Sequence, residues 1–412
     1  MRRATAPVSV TTRRFQPSAP PAAGHVHWVI RWAFYLFVLS LPFEYPRRSI
    51  PWEVTTITCA VFLLAALLQP WISFRRFPGA LWWFAGYLYV FLASFVVNGG
   101  LYADGVLKLF ILMVEMWLLI WAGYNVMRDE EVFRATPVMF AVACVARAAL
   151  QLSGIATVHT AEWGGGERVS ALGQNANHSA VIMTAGLIAL IGLGYSGSTR
   201  RLRWRLLLWL LAAMVGIAII QNGSRGAIIA LALGVMTFAL AGSGLRSRLK
   251  NASLVLVVLG LVIWGAYNSE GMRNRFEEAV ATGYLAGREQ IYPALMQMVA
   301  ERPILGYGPI ANQYVLGGRL PQQHYDKRDA HNLFLEVMTS TGIVGTVPFM
   351  LLLWYGCRAA WRGRRGPAGM LPLALLVSAL GANMSGNWLA GPMVWVEFAY
   401  ALASDRKEPE PC

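Results

Sequence analysis

Repeated apolar runs of about 20 residues constrain the fold of this chain more than any other feature of its sequence. A run of that length crosses the hydrocarbon core of a bilayer as a helix, since each helical residue adds about 1.5 Å. The pattern predicts an all-α polytopic membrane protein with about twelve transmembrane helices. We place the runs at 28–44, 51–71, 79–97, 105–126, 133–155, 178–195, 204–221, 225–242, 252–268, 335–357, 368–385 and 387–403.

The composition agrees with this fold class. Of the 412 residues, 14% are charged and 56% are hydrophobic, whereas soluble globular proteins carry about 25% charged residues. The net charge of +14 does not indicate nucleic-acid binding, because the arginines lie between the apolar runs, where they orient helices in the membrane. The four cysteines show no spacing typical of a metal site or a disulfide framework.

The basic residues predict the orientation of the chain. If the N-terminus is cytoplasmic, 21 Lys and Arg residues fall in cytoplasmic segments and four in the short outer loops, as the positive-inside rule requires. Both termini are then cytoplasmic, with tails at 1–26, expected to be disordered, and at 405–412. Helices 1–9 occupy 27–268 and helices 10–12 occupy 332–404. The polar interval 269–331, expected to be partly helical, lies outside, which in a Gram-negative cell means the periplasm.

This topology brings a chemically coherent group of side chains to the outer side. Guanidinium groups stay charged and present a planar fork of donors suited to phosphate oxygens, whereas a neutral imidazole can accept a proton near neutral pH. Arginines and a histidine together suit transfer of a group from a lipid-linked diphosphate to a hydroxyl. We predict His331 and Arg288 as the catalytic groups, with His331 as general base. The predicted diphosphate ligands are Arg225, Arg288 and Arg168.

Further polar residues near these positions are candidates for contacts with a glycan or an acceptor. They are Gln174, Asn175, Asn177 and Asn332. Asparagine and glutamine amides bind sugar hydroxyls but also cap helices, so the structural alternative stays open. His324 is a second outer histidine that competes with His331 for the role of base.

No metal site and no cofactor are expected. The acidic residues around His331 do not match a known Mg²⁺ or Zn²⁺ pattern, and arginines in place of a divalent ion predict metal-independent transfer. We expect Asp329 to be the N-cap of the next helix. If His331 and Glu336 share that helix, they are five positions apart and point to different faces, which makes Glu336 a poor partner for the imidazole.

Several short motifs, taken in order, resemble one known family. They are Gln174-Asn175-Ala176-Asn177, Ser224-Arg225-Gly226, Gly287-Arg288 with Tyr292, Arg302-Pro303-Ile304-Leu305-Gly306-Tyr307-Gly308, His331-Asn332-Leu333-Phe334-Leu335-Glu336 and Gly342-Ile343-Val344-Gly345. Their order, spacing and shared sidedness resemble the signature of the O-antigen ligase and polymerase superfamily. The chain length and the single large outer segment between late spans favour the ligases within it.

The resemblance implies a GT-C-like, metal-independent, inverting glycosyltransferase in the bacterial inner membrane, with its active site facing the periplasm. The implied reaction transfers O-antigen from undecaprenyl diphosphate to a hydroxyl of lipid A-core. The expected partners are therefore this lipid-linked donor, the lipid A-core acceptor and membrane lipids, but not nucleic acid.

Three other functions compete with this interpretation. A polymerase would use a second glycan chain as the acceptor, and a protein O-oligosaccharyltransferase would use a pilin-like protein. A lipid or polysaccharide transporter belongs to another class and predicts matching halves with broken helices. We find no convincing internal repeat in the sequence, and most of the candidate residues cluster on one side, which argues against the transporter.

Overall fold

The computed structural model of the protein describes residues 25–43, 53–155, 157–160, 168–195, 202–242, 244–320 and 326–406. Helices dominate this part of the chain. Up to the long polar interval they are α1 (Trp28–Ser40), α2 (Val54–Ala66), α3 (Pro70–Ser73), α4 (Ala80–Val97), α5 (Ala103–Val126), α6 (Glu130–Leu152), α7 (Ala176–Tyr195), α8 (Leu202–Gln221), α9 (Arg225–Met236) and α10 (Leu245–Asn268). Short 3₁₀ turns extend α1 over Leu41–Phe43 and α9 over Thr237–Leu240.

The polar interval and the C-terminal region supply the remaining helices. They are α11 (Glu270–Thr282), α12 (Arg288–Glu301), α13 (Ala311–Gly318), α14 (Leu333–Gly363), α15 (Leu371–Asn383) and α16 (Pro392–Ser404). The described residues depart from an all-helical fold in one hairpin between α6 and α7, where β1 (Thr157–Thr160) pairs antiparallel with β2 (Arg168–Ala171).

The helices agree with the predicted all-α polytopic class. Each of the twelve apolar runs contains a helix, and the interval 269–331 contains three more. Within the described residues, seven helices are long and apolar enough to cross a membrane: α4, α5, α6, α7, α8, α10 and α14. The number of spans, the side on which the termini lie and the GT-C-like architecture stay predictions, as do the domain boundaries. The tail at 1–24 and His324 lie outside the described residues.

Burial differs strongly between the apolar helices. In α7, 83% of the most apolar 18-residue window is buried by other helices, compared with 17% in α10 and 22% in α8. An apolar helix that other helices leave uncovered must face lipid, because water would penalise its surface. Thus α7 lies at the centre of the bundle, packed against α6, α8 and α9, and α8 and α10 lie at its periphery.

The polar interval has a small core of its own. Ile291, Leu295 and Met298 of α12 are buried against Leu316 of α13 and Ala330. This cluster is far smaller than the continuous core of the bundle. The interval is therefore stabilised mainly by what it contacts at the end of the bundle.

Two glycines join that interval to α14. Helix α14 is interrupted at Gly342 (φ 61°, ψ −164°), and a Cβ there would lie 2.2 Å from the Ile304 carbonyl oxygen. A Cβ on Gly306 would lie 2.5 Å from the Thr339 carbonyl oxygen. Close backbone approach permits main-chain hydrogen bonds from Tyr307 N to Thr339 O (2.8 Å) and from Gly308 N to Ser340 O (3.0 Å). The Arg-Pro-Ile-Leu-Gly-Tyr-Gly motif therefore fixes the interval to α14.

Candidate active site

His331 is the last residue of the polar interval and lies directly before the N-cap of α14, outside any helix. Its φ of 48° is left-handed, and its backbone N–H donates to Asp329 Oδ1 (3.3 Å). Asn332 is the N-cap of α14, since its Oδ1 accepts from Phe334 N (3.0 Å) and Leu335 N (3.1 Å). The expectation that Asp329 caps this helix is therefore wrong. Asn332 wins because it directly precedes the helix and is an equally good cap.

Glu336 anchors the segment that carries His331. Its buried carboxylate accepts from Asn312 Nδ2 (3.0 Å), Gln313 Nε2 (2.8 Å) and Ala330 N (3.4 Å). These bonds tie α13 and the residue before His331 to the first turn of α14. These bonds go to groups other than the imidazole, although the expected reason does not hold, because His331 precedes α14 and does not share its helix. The role of Glu336 in fixing the neighbouring backbone was not foreseen, because two of the three donors come from α13.

The surroundings of His331 lower the pKa of its imidazole below the ordinary value of 6.5, first through burial. The Asp329 carboxylate opposes this by raising the pKa, and the charges of Arg328 and Arg288 lower it again. Burial and nearby cations both disfavour the protonated form. The imidazole is therefore neutral at neutral pH, the state that a general base needs.

Arg288 begins α12 and reaches the turn between α15 and α16, residues 384–391, hereafter the α15–α16 turn. Its Nη2 donates to the Ser385 carbonyl oxygen (2.9 Å) and its Nη1 to that of Leu285 (3.3 Å). The Nε atom is buried and has no hydrogen-bond partner among the described residues. One turn later, Tyr292 Oη donates to the Met384 carbonyl oxygen (3.0 Å). Helix α12 is thus held against this turn, and the Nε donor of Arg288 is unused among the described residues.

Arg225 begins α9 and faces two further arginines. Its Nη1 donates to the carbonyl oxygens of Arg275 (2.9 Å) and Tyr284 (3.5 Å). The charges of Arg275 and Arg288 act on it, and the Glu278 carboxylate opposes them in part. Neither Arg225 nor Arg288 forms an ion pair with a carboxylate of the described chain. Like charges held together destabilise a site until an anion joins them. This cluster, which we call the arginine cluster (Arg225, Arg275 and Arg288), is suited to a phosphate or diphosphate.

Sequence reasoning did not select two cations of this region, Arg275 and Arg328. Arg275 is buried on α11, only 8% exposed, and Arg328 acts on His331 from three positions upstream. Arg275 lies between Arg273 and Glu277 in a strongly charged helix, so that it resembles a solvated surface residue. A buried arginine on an otherwise polar helix is recognised only once the helix has been placed.

Arg168 lies in a separate polar network beside this cluster. Its Nε donates to the Asn222 carbonyl oxygen (2.9 Å) and its Nη2 to Asn177 Oδ1 (2.7 Å). Asn175 Oδ1 accepts from Asn177 N (2.9 Å) at the start of α7, and Gln174 offers its carbonyl oxygen to Ser170 Oγ (2.8 Å). Arg168 is only 2% exposed. It joins β2 and α7 to the turn before Arg225, and the substrate contacts expected of this network stay predictions.

An apolar groove opens beside the arginine cluster. It has a volume of about 570 Å³ and lies between α9, α10 and α11. We call it the α9–α11 groove. Ile228, Ile263, Tyr267, Phe276 and Val280 are among its lining residues. Ile228 follows Arg225 by three positions and Phe276 directly follows Arg275, so the groove begins where the cluster ends. This arrangement can hold an amphiphile with an anionic head.

Comparison with known proteins gives two matches. Residues 206–350 match the O-antigen ligase family, Wzy_C, an interval that contains Arg225, Arg288 and His331. An O-antigen ligase from Pseudomonas aeruginosa is 27% identical over 211 residues, which cover 46% of this chain and 46% of that protein. The matched part thus spans about half the length of this relative.

Proposed function

We propose that this protein, which both matches support as a member of the O-antigen ligase family, is a ligase. It transfers O-antigen from undecaprenyl diphosphate to a hydroxyl of lipid A-core. The family supports ligation or polymerisation of O-antigen. The choice of a lipid A-core acceptor and of a periplasmic site in the inner membrane is part of the proposal.

One observation carries the proposal: the arginine cluster lies beside a neutral imidazole. The charge of Arg288 acts on both Arg225 and His331, so the cations and the base belong to one site. The cations suit the diphosphate of the donor and its negative charge as it leaves. The imidazole suits deprotonation of an acceptor hydroxyl.

The proposed reaction is a single displacement. His331 accepts the proton of the acceptor hydroxyl as its oxygen bonds to the anomeric carbon of the donor sugar. The bond from that carbon to the diphosphate oxygen breaks, and the undecaprenyl diphosphate leaves with the electron pair. Arg225 and Arg288 stabilise this charge without a metal ion, and attack opposite the leaving group inverts the anomeric centre.

The α9–α11 groove suits the lipid part of the same donor. Its walls are mostly apolar side chains of α9, α10 and α11, and Arg273 and Glu277 are the charged residues among them. A polyprenyl chain gains free energy by leaving water for such a surface, about 25 cal/mol for each Å² buried. Because α10 is peripheral, a lipid can enter the groove from the bilayer.

A reconstituted transfer assay with purified protein tests the proposal. Undecaprenyl-diphosphate-linked O-antigen is offered with lipid A-core, with a second lipid-linked glycan or with a pilin peptide. We expect transfer to lipid A-core. Transfer only to the second glycan would identify the protein as a polymerase instead of a ligase. Transfer only to the peptide would identify it as a protein O-oligosaccharyltransferase.

The same assay tests independence from metal ions. Transfer is measured after incubation with EDTA and again after addition of Mg²⁺. We expect the rate to stay the same in both conditions, because arginines neutralise the leaving diphosphate. Loss of activity in EDTA with recovery in Mg²⁺ would contradict the proposed roles of Arg225 and Arg288.

A further inference from the structure

A second cleft lies at the far end of the bundle, where α6 begins and α16 ends. We propose that this far-end cleft binds an anionic phospholipid, with the phosphate at Arg75 and Arg128 and an acyl chain along α6. The proposal does not depend on the transfer reaction, since the site described above lies at the opposite end, where α9 and α14 begin.

The far-end cleft is the larger of the two openings. Its volume is about 910 Å³. It is bounded by the start of α1, by α3 and the loop after it, and by the junction of α5 with α6. Residues from His25 to Met139 line it, which brings together the N-terminal third of the described chain.

The carboxylates of the cleft are already neutralised. Asp129 pairs with Arg31 (3.4 Å), and Glu131 pairs with the same arginine. Glu130 pairs with Arg134 (2.6 Å) and with Arg406.

The two arginines assigned to the phosphate lack such partners. Arg75 and Arg128 line the cleft and form no ion pair with a carboxylate of the described residues. Arg128 Nη1 donates to Tyr124 Oη (2.9 Å), which leaves its charge in place. The cleft therefore carries uncompensated positive charge suited to a phosphate.

The loop that carries Arg75 is held in position before any ligand binds. The Arg76 carbonyl oxygen accepts from Asn125 Nδ2 (2.8 Å) and Trp121 Nε1 (3.0 Å), and Arg76 N donates to Asn125 Oδ1 (2.9 Å). Phe74 and Phe77 pack against Trp121 on either side of these bonds. A fixed loop loses little conformational entropy on binding, which favours a specific site over a diffuse basic surface.

The part of the cleft that runs along α6 is apolar. Ala135, Val138 and Met139 line it. At about 1.5 Å per helical residue, Met139 lies roughly 15 Å along α6 from Asp129. A cleft with cations at one end and apolar side chains at the other fits a phospholipid. A soluble phosphate would leave the apolar part unused.

Aromatic side chains mark the expected depth of the headgroup. Trp28, Trp71 and Trp82 are exposed large aromatic residues, and all lie on elements at the far end, with Trp82 packed against Phe77 of the Arg75 loop. Tryptophans concentrate at the level of lipid headgroups, where one side is apolar and the other is wet. The arginines of the cleft are therefore at the depth of lipid phosphates.

Native mass spectrometry of the purified protein tests the proposal with dioleoyl phosphatidylglycerol and dioleoyl phosphatidylcholine as probes. We expect phosphatidylglycerol to be retained preferentially. The Arg75→Ala/Arg128→Ala variant should retain it roughly tenfold more weakly, and Lys at both positions should keep part of the binding. The matched control is Arg246→Ala/Arg248→Ala, which removes two exposed cations at the start of α10, outside the cleft.

Two results would overturn the proposal. One is equal retention of the two lipids by the unchanged protein, and the other is equal loss of phosphatidylglycerol in both double alanine variants. A phosphatidylglycerol with a diazirine on its acyl chain gives a second measurement. We expect crosslinks on the α6 peptide containing Ala135 and Met139, and labelling confined to other helices would also reject the site.

Discussion

Two groups of arginines, one at each end of the helix bundle, are neutralised in different ways. At the far end, Arg31, Arg134 and Arg406 pair with carboxylates at the start of α6. At the other end, Arg225 and Arg288 contact main-chain carbonyl oxygens and act on each other's charge, with no carboxylate pair among the described residues. Arginines paired with carboxylates hold helices together. Arginines that lack such partners and lie close to each other repel, and a bound anion relieves that repulsion.

The largest expected effect falls on His331, the proposed base beside the arginine cluster. His331→Ala should lower the transfer rate roughly 10²- to 10⁴-fold, because the acceptor hydroxyl loses its proton acceptor. Donor binding should remain, since the arginine cluster is untouched. Single-turnover transfer and binding of a lipid-linked diphosphate are measured on the same protein sample. Full activity in this variant would remove His331 from the mechanism.

The next prediction compares one arginine from each end of the bundle, Arg288 and Arg134, in the transfer assay. Arg288→Ala should lower transfer roughly 100-fold by removing a donor to the leaving diphosphate, and Arg288→Lys should recover part of it, because Lys keeps the charge but not the fork. The matched control is Arg134→Ala, which removes an exposed, paired arginine at the far end. Equal losses in the two alanine variants would show that the pairing state of an arginine does not predict its role.

A smaller loss is expected at Glu336, which positions the backbone before His331. Glu336→Gln replaces one acceptor oxygen by a donor, so the bond from Ala330 N or those from Asn312 and Gln313 must weaken. We expect kcat to fall roughly tenfold through misplacement of the base, with KM for the donor nearly unchanged. Glu270→Gln, at an exposed carboxylate of the same polar interval, is the control. A change in KM alone would contradict a positioning role.

The smallest effect is a shift in the pH dependence. Because burial lowers the pKa of His331 below 6.5, transfer should be constant near neutral pH and fall as the pH drops through that lowered pKa. Asp329→Asn removes the carboxylate that raises this pKa, so the acid limb should move to lower pH. Arg328→Ala removes a cation that lowers it, so the limb should move to higher pH. Rate–pH profiles that move together would contradict this assignment.

Much of the architecture was predictable, because the length of each apolar run and the distribution of basic residues between the runs are properties of the local sequence. The twelve runs each contain a helix, and three helices fill the polar interval. Arg225, Arg288 and His331 could also be selected as candidates, since cations at helix boundaries and a histidine next to an apolar run stand out in this sequence. Their relative positions depend on tertiary contacts, such as the hydrogen bond from Arg225 to the Arg275 carbonyl oxygen on α11.

The remaining features depend on the tertiary structure. In the sequence, Arg275 has the pattern of an ordinary surface residue, and only the packing of α11 buries it. The predicted N-cap of α14, Asp329, differs from the observed one, Asn332. Several good capping residues precede this helix, and only the backbone conformation at His331 decides between them. Hydrogen bonds from side chains to main-chain carbonyl oxygens are also not predictable from residue types, because every residue carries such an oxygen.

The α15–α16 turn has a consequence for genetics. It holds Arg288, Tyr292 and Asn332 through the carbonyl oxygens of Met384 and Ser385 alone, and the Met384 side chain is exposed. Replacing that side chain leaves its acceptor in place, so an alanine scan should pass over Met384 as dispensable. An inserted residue, which displaces the main chain, should release all three side chains at once. A stretch can thus tolerate substitution and still be intolerant of a change in length.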